Sequence, residues 1–261
     1  MKYIFWTGGY DSTFRLSQLL IRYKKKVQPI YISDPNLDNA TNQKTKRRNV
    51  KQELYAMKKI RDMLIKKFPY IDTQKLLMPL IIIKDSRYDD EIKKNMVLLN
   101  KKKYVRRSQC QYGGMAQVCK NIEQKVEVCA EVGGFFQKKL KHKIYCDNNN
   151  CYLHNFSDSD RCLSVFNKFL LPVINYTKEN MYKESIEYNF NSILDQTWSC
   201  WYPRNNKPCN RCDMCKHRLK IYNNTPILEG FQTITNNNNN NNNILFIVFI
   251  VLYLLFPLII S

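Results

Sequence analysis

The sequence predicts an α/β fold, a parallel sheet with helices on both faces. Three observations carry this. Short apolar runs of strand length alternate with stretches whose apolar residues recur at helical spacing. The first of these runs stops at a glycine pair immediately before a helical stretch. The hydrophobic share, 44% of 261 residues, is enough to build the two-sided core that such a sheet requires.

The elements follow in order. Lys2 to Thr7 reads as a first strand ending at Gly8-Gly9. From Asp11 to Lys24 the residues Phe14, Leu16, Leu19, Leu20 and Tyr23 keep helical spacing, and Lys24-Lys25-Lys26 suits the negative end of a helix. Val27 to Ser33 is a second strand that ends at Asp34-Pro35. A long basic helix is expected over Lys44 to Phe68, with Leu54, Met57, Ile60, Met63 and Leu64 on one face. Leu80 to Ile83 gives a third strand and Val126 to Val132 a fourth, whereas the Asn- and Asp-rich stretch from His142 to Asp160 reads as a loop.

Charge and cysteine content bound the function. Lys plus Arg number 42 against 22 for Asp plus Glu, a net charge of +20. Such a balance attracts nucleic acid, anionic membrane or phosphorylated substrates. The abundance of Lys, Asn, Ile and Tyr with only 7 glycines also suits an A+T-rich genome, so much of the lysine is read as solvated surface. With no basic run read as interleaved with aromatics in the manner of a stacking platform, nucleic acid is a partner the charge allows but not the favoured one. Met1 to Trp6 runs straight into the glycine motif that begins at Thr7, so no secretory leader is expected. The ten cysteines are accordingly expected to be buried thiols or metal ligands rather than bridges. His142, His154 and His217 share no helical spacing, and His217, though next to a cysteine cluster, reads as a surface residue.

Composition changes sharply near Thr233. Residues 233–243 form an asparagine-rich linker that cannot bury enough apolar surface to order itself. Residues 244–260 then carry no charge and are just long enough for one membrane-spanning helix, since a bilayer needs roughly 17–25 apolar residues. The expectation is a single-pass tail anchor with the lysine-rich soluble part facing the cytoplasm.

The run Thr7-Gly8-Gly9-Tyr10-Asp11-Ser12-Thr13 is where chemistry is expected. Between a strand end and a helix start, backbone N–H groups lack partners and the helix dipole is positive. Two glycines let the main chain approach an anion with no Cβ in the way. The Ser12 and Thr13 hydroxyls add donors, and Asp11 suits a Mg²⁺ ion bridging phosphates. The pattern is neither GxxxxGK nor GxGxxG. The segment resembles the S-G-G-x-D-S loop of the N-type ATP pyrophosphatases, with Thr7 in place of the first serine. The resemblance implies a Rossmann-like, adenine nucleotide alpha hydrolase-like sheet over residues 1–196. It also implies cleavage of ATP between the α and β phosphates, with Asp11 and Ser12 as candidate catalytic residues. Asp34, at the end of the second strand, is a candidate adenine or ribose contact or else a turn residue before Pro35. Glu131, followed by Gly133-Gly134, ends the fourth strand on the same edge, either as a substrate-pocket residue or as a strand-end charge.

Residues 197–232 hold a second constellation, Cys200, Cys209, Cys212 and Cys215, spaced C-x8-C-x2-C-x2-C. Four thiolates at such spacing suit tetrahedral Zn²⁺; an iron–sulfur cluster or plain buried thiols are the alternatives. Thr197 to Cys200 with Pro208 to Arg218 resembles the C-terminal zinc motif of the 7-cyano-7-deazaguanine synthase (ExsB/QueC) family. Leu171 to Met181, including Thr177-Lys178, resembles that family's Pro-then-Thr-Lys helix start. The resemblance implies an ATP-dependent C–N ligase that adenylates a small carboxylate substrate, releases pyrophosphate and admits ammonia, with a structural zinc. Gln111 to Gln117 departs from the family's arginine- and asparagine-bearing substrate segment. An amidase or thiolase acting on tRNA or a small acid, and a tethered nucleotide-binding protein without turnover, are the alternative readings.

Overall fold

The computed structural model describes residues 1–33, 49–85, 87–105, 111–147, 150–154 and 156–223. Its central feature is a parallel sheet of five strands. These are β1 (Lys2–Phe5), β2 (Val27–Ile32), β3 (Ile81–Ile83), β4 (Val126–Glu127) and, after a two-stranded hairpin, β7 (Phe169–Leu170), in the order β3-β2-β1-β4-β7. Register is set by Lys2 opposite Val27 and Phe5 opposite Ile30 on one side of β1, and by Tyr3 opposite Val126 on the other. Successive strand residues point to opposite faces. Phe5, Ile30, Ile32, Val126 and Val128 therefore enter one core, while Ile4, Trp6, Val27 and Tyr31 enter the other.

The first face is covered by α4 (Asp90–Lys101), α5 (Gln111–Asn121), α6 (Phe135–Leu140) and a 3-10 helix, Asp158–Phe166. Tyr112 stacks on Phe135 there, and Gly113 lets the ring of Tyr88 lie where a Cβ would come within 2.8 Å of it. The second face carries α1 (Tyr10–Ser17), α2 (Val50–Lys67), α7 (Lys178–Glu187) and α8 (Asn191–Leu194). A short helix α3 (Thr73–Leu76) leads into β3, and α9 (Asp213–Asn223) ends the described chain. The fold belongs to a unit spanning Met1–Lys216; the second unit, His217–Ser261, is described only through the end of α9.

Helices on both faces of a parallel sheet are what the sequence predicts, with local differences. The first helix becomes a π-helix over Gln18–Arg22, closed by the Tyr23 N–H on the Gln18 carbonyl. The fourth strand is cut short: after the Val128 N–H bonds Leu170, the Ala130 N–H turns back onto Val128, and the chain leaves the ladder. The His142 to Asp160 stretch is not a plain loop. It holds the antiparallel hairpin β5 (Ile144–Cys146) and β6 (Cys151–Leu153), tied by a Cys146–Cys151 disulfide. This corrects the expectation that the cysteines are thiols or metal ligands rather than bridges; these two sit opposite each other in the hairpin register, with Cα atoms 4.0 Å apart. The long basic helix begins at Val50 in the described residues, and Lys44 to Arg48 lie outside them.

Asp34, the asparagine linker and the apolar run at 244–260 also lie outside the described residues. Among the described residues no helix is long and apolar enough to cross a membrane.

Candidate functional site

Strand order reverses at β1, which has β2 on one side and β4 on the other. Ligands in open parallel sheets bind at the carboxyl ends of strands beside such a reversal. The glycine loop follows β1 there. Gly8 has φ +67°, a left-handed conformation, and a Cβ on it would lie 3.1 Å from both the Glu53 carbonyl and Met57 Cγ. Glycine is thus required twice, by conformation and by the close approach of α2. Gly9 caps α1 in extended conformation, and the Thr13 N–H makes the first helical bond to its carbonyl at 3.0 Å. The amides ahead of that bond are those a helix leaves without intrahelical acceptors.

The loop's hydroxyls are held loosely. The Gly9 N–H donates to Thr7 Oγ1 at 3.3 Å, the Thr7 N–H to Ser12 Oγ at 3.4 Å, and Ser12 Oγ to the Gly9 carbonyl at 3.4 Å. Such long bonds are readily exchanged for stronger ones to a phosphate oxygen. Thr13 differs: it is fully buried, and its hydroxyl accepts from Trp6 Nε1 at 3.0 Å, so it anchors α1 to the sheet.

Asp11 is joined by two residues from elsewhere in the chain. Lys178, the first residue of α7, forms ion pairs with Asp11 and with Glu131, the latter at 2.9 Å, and lies 5.2 Å from the centroid of the Tyr10 ring. Thr177 caps α7 with a capping box to Asn180, fixing where the helix and Lys178 begin. Glu131 reaches the cluster because β4 ends early, and its carbonyl accepts from the Gly134 N–H at 3.0 Å while Gly133 takes φ +75°. Burial pushes the Glu131 carboxyl up to about 7 and the Lys178 ammonium down to about 7. Lys178 stands in the Thr-Lys pair that marks the helix start in the sequence, but its partners become visible only in three dimensions.

Behind α1 lies a buried pair that the sequence gives no sign of. Arg15 makes a bidentate ion pair with Glu127 of β4 at 2.8 and 2.9 Å. It locks the loop's helix to the strand across the switch point.

Cys200, Cys209, Cys212 and Cys215 converge, with all four sulfurs within 4.8 Å of one another. A tetrahedral zinc with bonds of about 2.3 Å needs sulfurs about 3.8 Å apart, and Cys209 and Cys215 are at 4.0 Å. The donor set and spacing fit such an ion. The backbone N–H of Arg211 leads the groups that lower the Cys209 thiol to about 6, while burial raises Cys215 to about 12. A thiol already near its thiolate form suits metal capture. The cluster touches the glycine loop through the chain preceding it: the Trp198 N–H donates to the Gly8 carbonyl at 2.9 Å, and Trp198 Nε1 to the Cys200 carbonyl at 2.8 Å. His217 is exposed, as its surface reading expects.

Fold and site together define a doubly covered α/β protein with a glycine loop at its switch point and, beside it, a four-cysteine cluster that could hold a metal. The family model for "Queuosine biosynthesis protein QueC" matches residues 3–226, from β1 through the cluster, and the chain belongs to that family. Two curated relatives, each named 7-cyano-7-deazaguanine synthase, come from Prochlorococcus marinus strains AS9601 and MIT 9515. Each is 38% identical over 55 residues, 21% of this chain and 23% of the relative. The matched stretch thus spans about a quarter of the length of those curated relatives. No solved structure matches the chain.

Proposed function

We propose that this chain is an ATP-dependent synthase of the 7-cyano-7-deazaguanine type, adenylating a substrate carboxylate and passing it to ammonia. The observation that carries the reading is the loop from Thr7 to Thr13 at the reversal of strand order, with Lys178 and Glu131 brought against Asp11. The reaction has a balanced course. A carboxylate oxygen attacks the α-phosphorus of ATP, the bond to the β-phosphate bridge breaks, and pyrophosphate leaves with the electron pair. Ammonia then attacks the acyl carbon, loses a proton and expels AMP to leave an amide. The amide oxygen then attacks the α-phosphorus of a second ATP and expels pyrophosphate. Loss of the two nitrogen-bound protons and departure of AMP, which carries the former amide oxygen, leaves the nitrile.

The residues take roles that their chemistry suits. The amides of Gly8 to Ser12 and the Thr7 and Ser12 hydroxyls receive the pyrophosphate oxygens, which gain charge as the bond breaks. Lys178, whose ammonium burial lowers to about 7, supplies a positive charge that a bound phosphate would stabilise. Asp11 would help hold Mg²⁺, which neutralises the phosphates when bound. Glu131, raised to about 7 by burial, suits accepting the ammonium proton near neutral pH. Zinc at the four cysteines would hold the 197–216 segment, and with it Trp198 against Gly8. The apolar run at 244–260 is proposed to tether the chain to a membrane, a proposal that fails if a reporter carrying residues 233–261 stays in the soluble fraction.

The test is incubation of the full chain with ATP, ammonia and 7-carboxy-7-deazaguanine. AMP, pyrophosphate and nitrile together are the expected products. Pyrophosphate released with a different acid and not with this one changes the substrate; no pyrophosphate with any carboxylate offered overturns the enzymatic reading.

A further inference from the structure

Between Cys200 and Cys209 the chain builds a small projecting finger that the proposed reaction does not use. Arg204 and Lys207 bond to each other in both directions, N–H to carbonyl, at 3.0 and 2.8 Å. Asn205 and Asn206 between them have φ 48° and 61°, the pair of left-handed residues that a two-residue hairpin turn demands. Directly opposite residues in such a hairpin put their side chains on the same face. Arg204 and Lys207 are thereby presented side by side, exposed, and neither has an ion pair among the described residues. Just before them Trp201 and Tyr202 are 47% and 43% exposed, with rings edge to face at 6.5 Å. Gln52 of α2 fixes the tip by donating to Asn206 at 3.0 Å. From Trp201 to Cys212 the sequence has no acidic residue, and Arg211 adds a further exposed cation.

Two large exposed rings next to paired cations on a stiff turn have one well-matched ligand chemistry. We propose that the finger Trp201–Lys207 is a docking surface for single-stranded nucleic acid, with bases stacking on Trp201 and Tyr202 and phosphates on Arg204 and Lys207. Stacking tolerates any base, and basic side chains track the backbone. A duplex would offer only phosphates here, since its bases are already stacked on one another, and the rings would have no role. An anionic lipid surface would meet the same cations, but the finger carries no Leu, Ile or Phe to enter the acyl boundary beside the Trp. The proposal goes beyond the synthase reading and does not depend on it, because binding is read without turnover.

The experiment is fluorescence anisotropy of the full chain with a labelled oligouridylate and an oligothymidylate of equal length, at several salt concentrations. Trp201→Ala/Tyr202→Ala should weaken binding by about tenfold or more at every salt concentration. Arg204→Ala/Lys207→Ala should lower the slope of log affinity against log salt by about 1.4, two phosphate contacts at about 0.7 each. Metal content and far-UV circular dichroism of the variants should match the parent. A preference for oligouridylate identifies RNA as the ligand; equal affinity supports single strands in general. With a net charge of +20 the chain will attract any polyanion, so the variants decide. Binding that both double variants leave unchanged overturns the proposal. So does loss of binding to phosphatidylserine vesicles in the same variants with oligonucleotide binding intact.

Discussion

Lys178 faces two carboxylates with a single positive charge, and this imbalance has a measurable consequence. Asp11 comes from the glycine loop and Glu131 from the foreshortened end of β4. Burial raises the Glu131 carboxyl to about 7, whereas an unfolded glutamate releases its proton near about 4.3. Between those values the folded chain holds a proton that the unfolded chain has lost. The stabilisation is therefore complete below the unfolded value and is lost as pH rises through about 7. Glutamine cannot ionise and escapes this loss. In Glu131→Gln, the melting temperature of the variant minus that of the parent should grow between about pH 5 and about pH 7. A difference that does not change with pH would show that Glu131 titrates as an ordinary exposed carboxylate. If Glu131 is also the proton acceptor of the proposed amidation, the same variant should lose amide formation while still releasing pyrophosphate.

Among the elements, the packing of α1 on β4 decides how well the loop is held. Arg15 and Glu127 are both buried and make two short ion-pair bonds. Removing one partner leaves a buried charge unanswered, at a cost of about 3–5 kcal/mol. Arg15→Met or Glu127→Leu alone should lower the urea unfolding free energy by that amount, and the double variant should recover most of it. Additive losses would mean that the pair does not act as a unit. Nothing in the sequence announces this pair, because its members are 112 positions apart and each looks like an ordinary charge. The β1 strand, the glycine loop and the four cysteines are legible because their signals are local: periodicity, two adjacent glycines, fixed spacings. The end of β4 is not. Val126 to Val132 is apolar enough for a longer strand, and only the turn of Ala130 onto Val128 stops it. The β5–β6 hairpin is hidden for the opposite reason: its strands are three residues each, set in Asn- and Asp-rich sequence that reads as loop. Glu131 was legible as a residue at the sheet edge, but its lysine partner lies 47 positions on and is brought to it by the cap of α7.

Across the Met1–Lys216 unit, the two most legible motifs turn out to be mechanically connected. The cysteine cluster holds the chain at both sides of the 200–215 segment, and Trp198, two residues before it, bonds the left-handed Gly8 through its N–H. Four sulfurs within 4.8 Å would repel one another if all were deprotonated, and a bound cation would offset that repulsion and hold this geometry. Removing the metal with a strong chelator, or replacing Cys212 by Ser, should loosen 197–216 while the five-stranded sheet, whose core lies elsewhere, stays folded. The loop would then lose the Trp198 bond, worth about 1 kcal/mol, and ATP should bind about fivefold more weakly. Equilibrium nucleotide binding before and after chelation checks this, with far-UV circular dichroism as the control for the sheet. Unchanged ATP affinity with the metal gone would show that the cluster and the loop are independent. Global unfolding on chelation would show instead that the cysteines hold the whole unit and not only the segment that braces the loop.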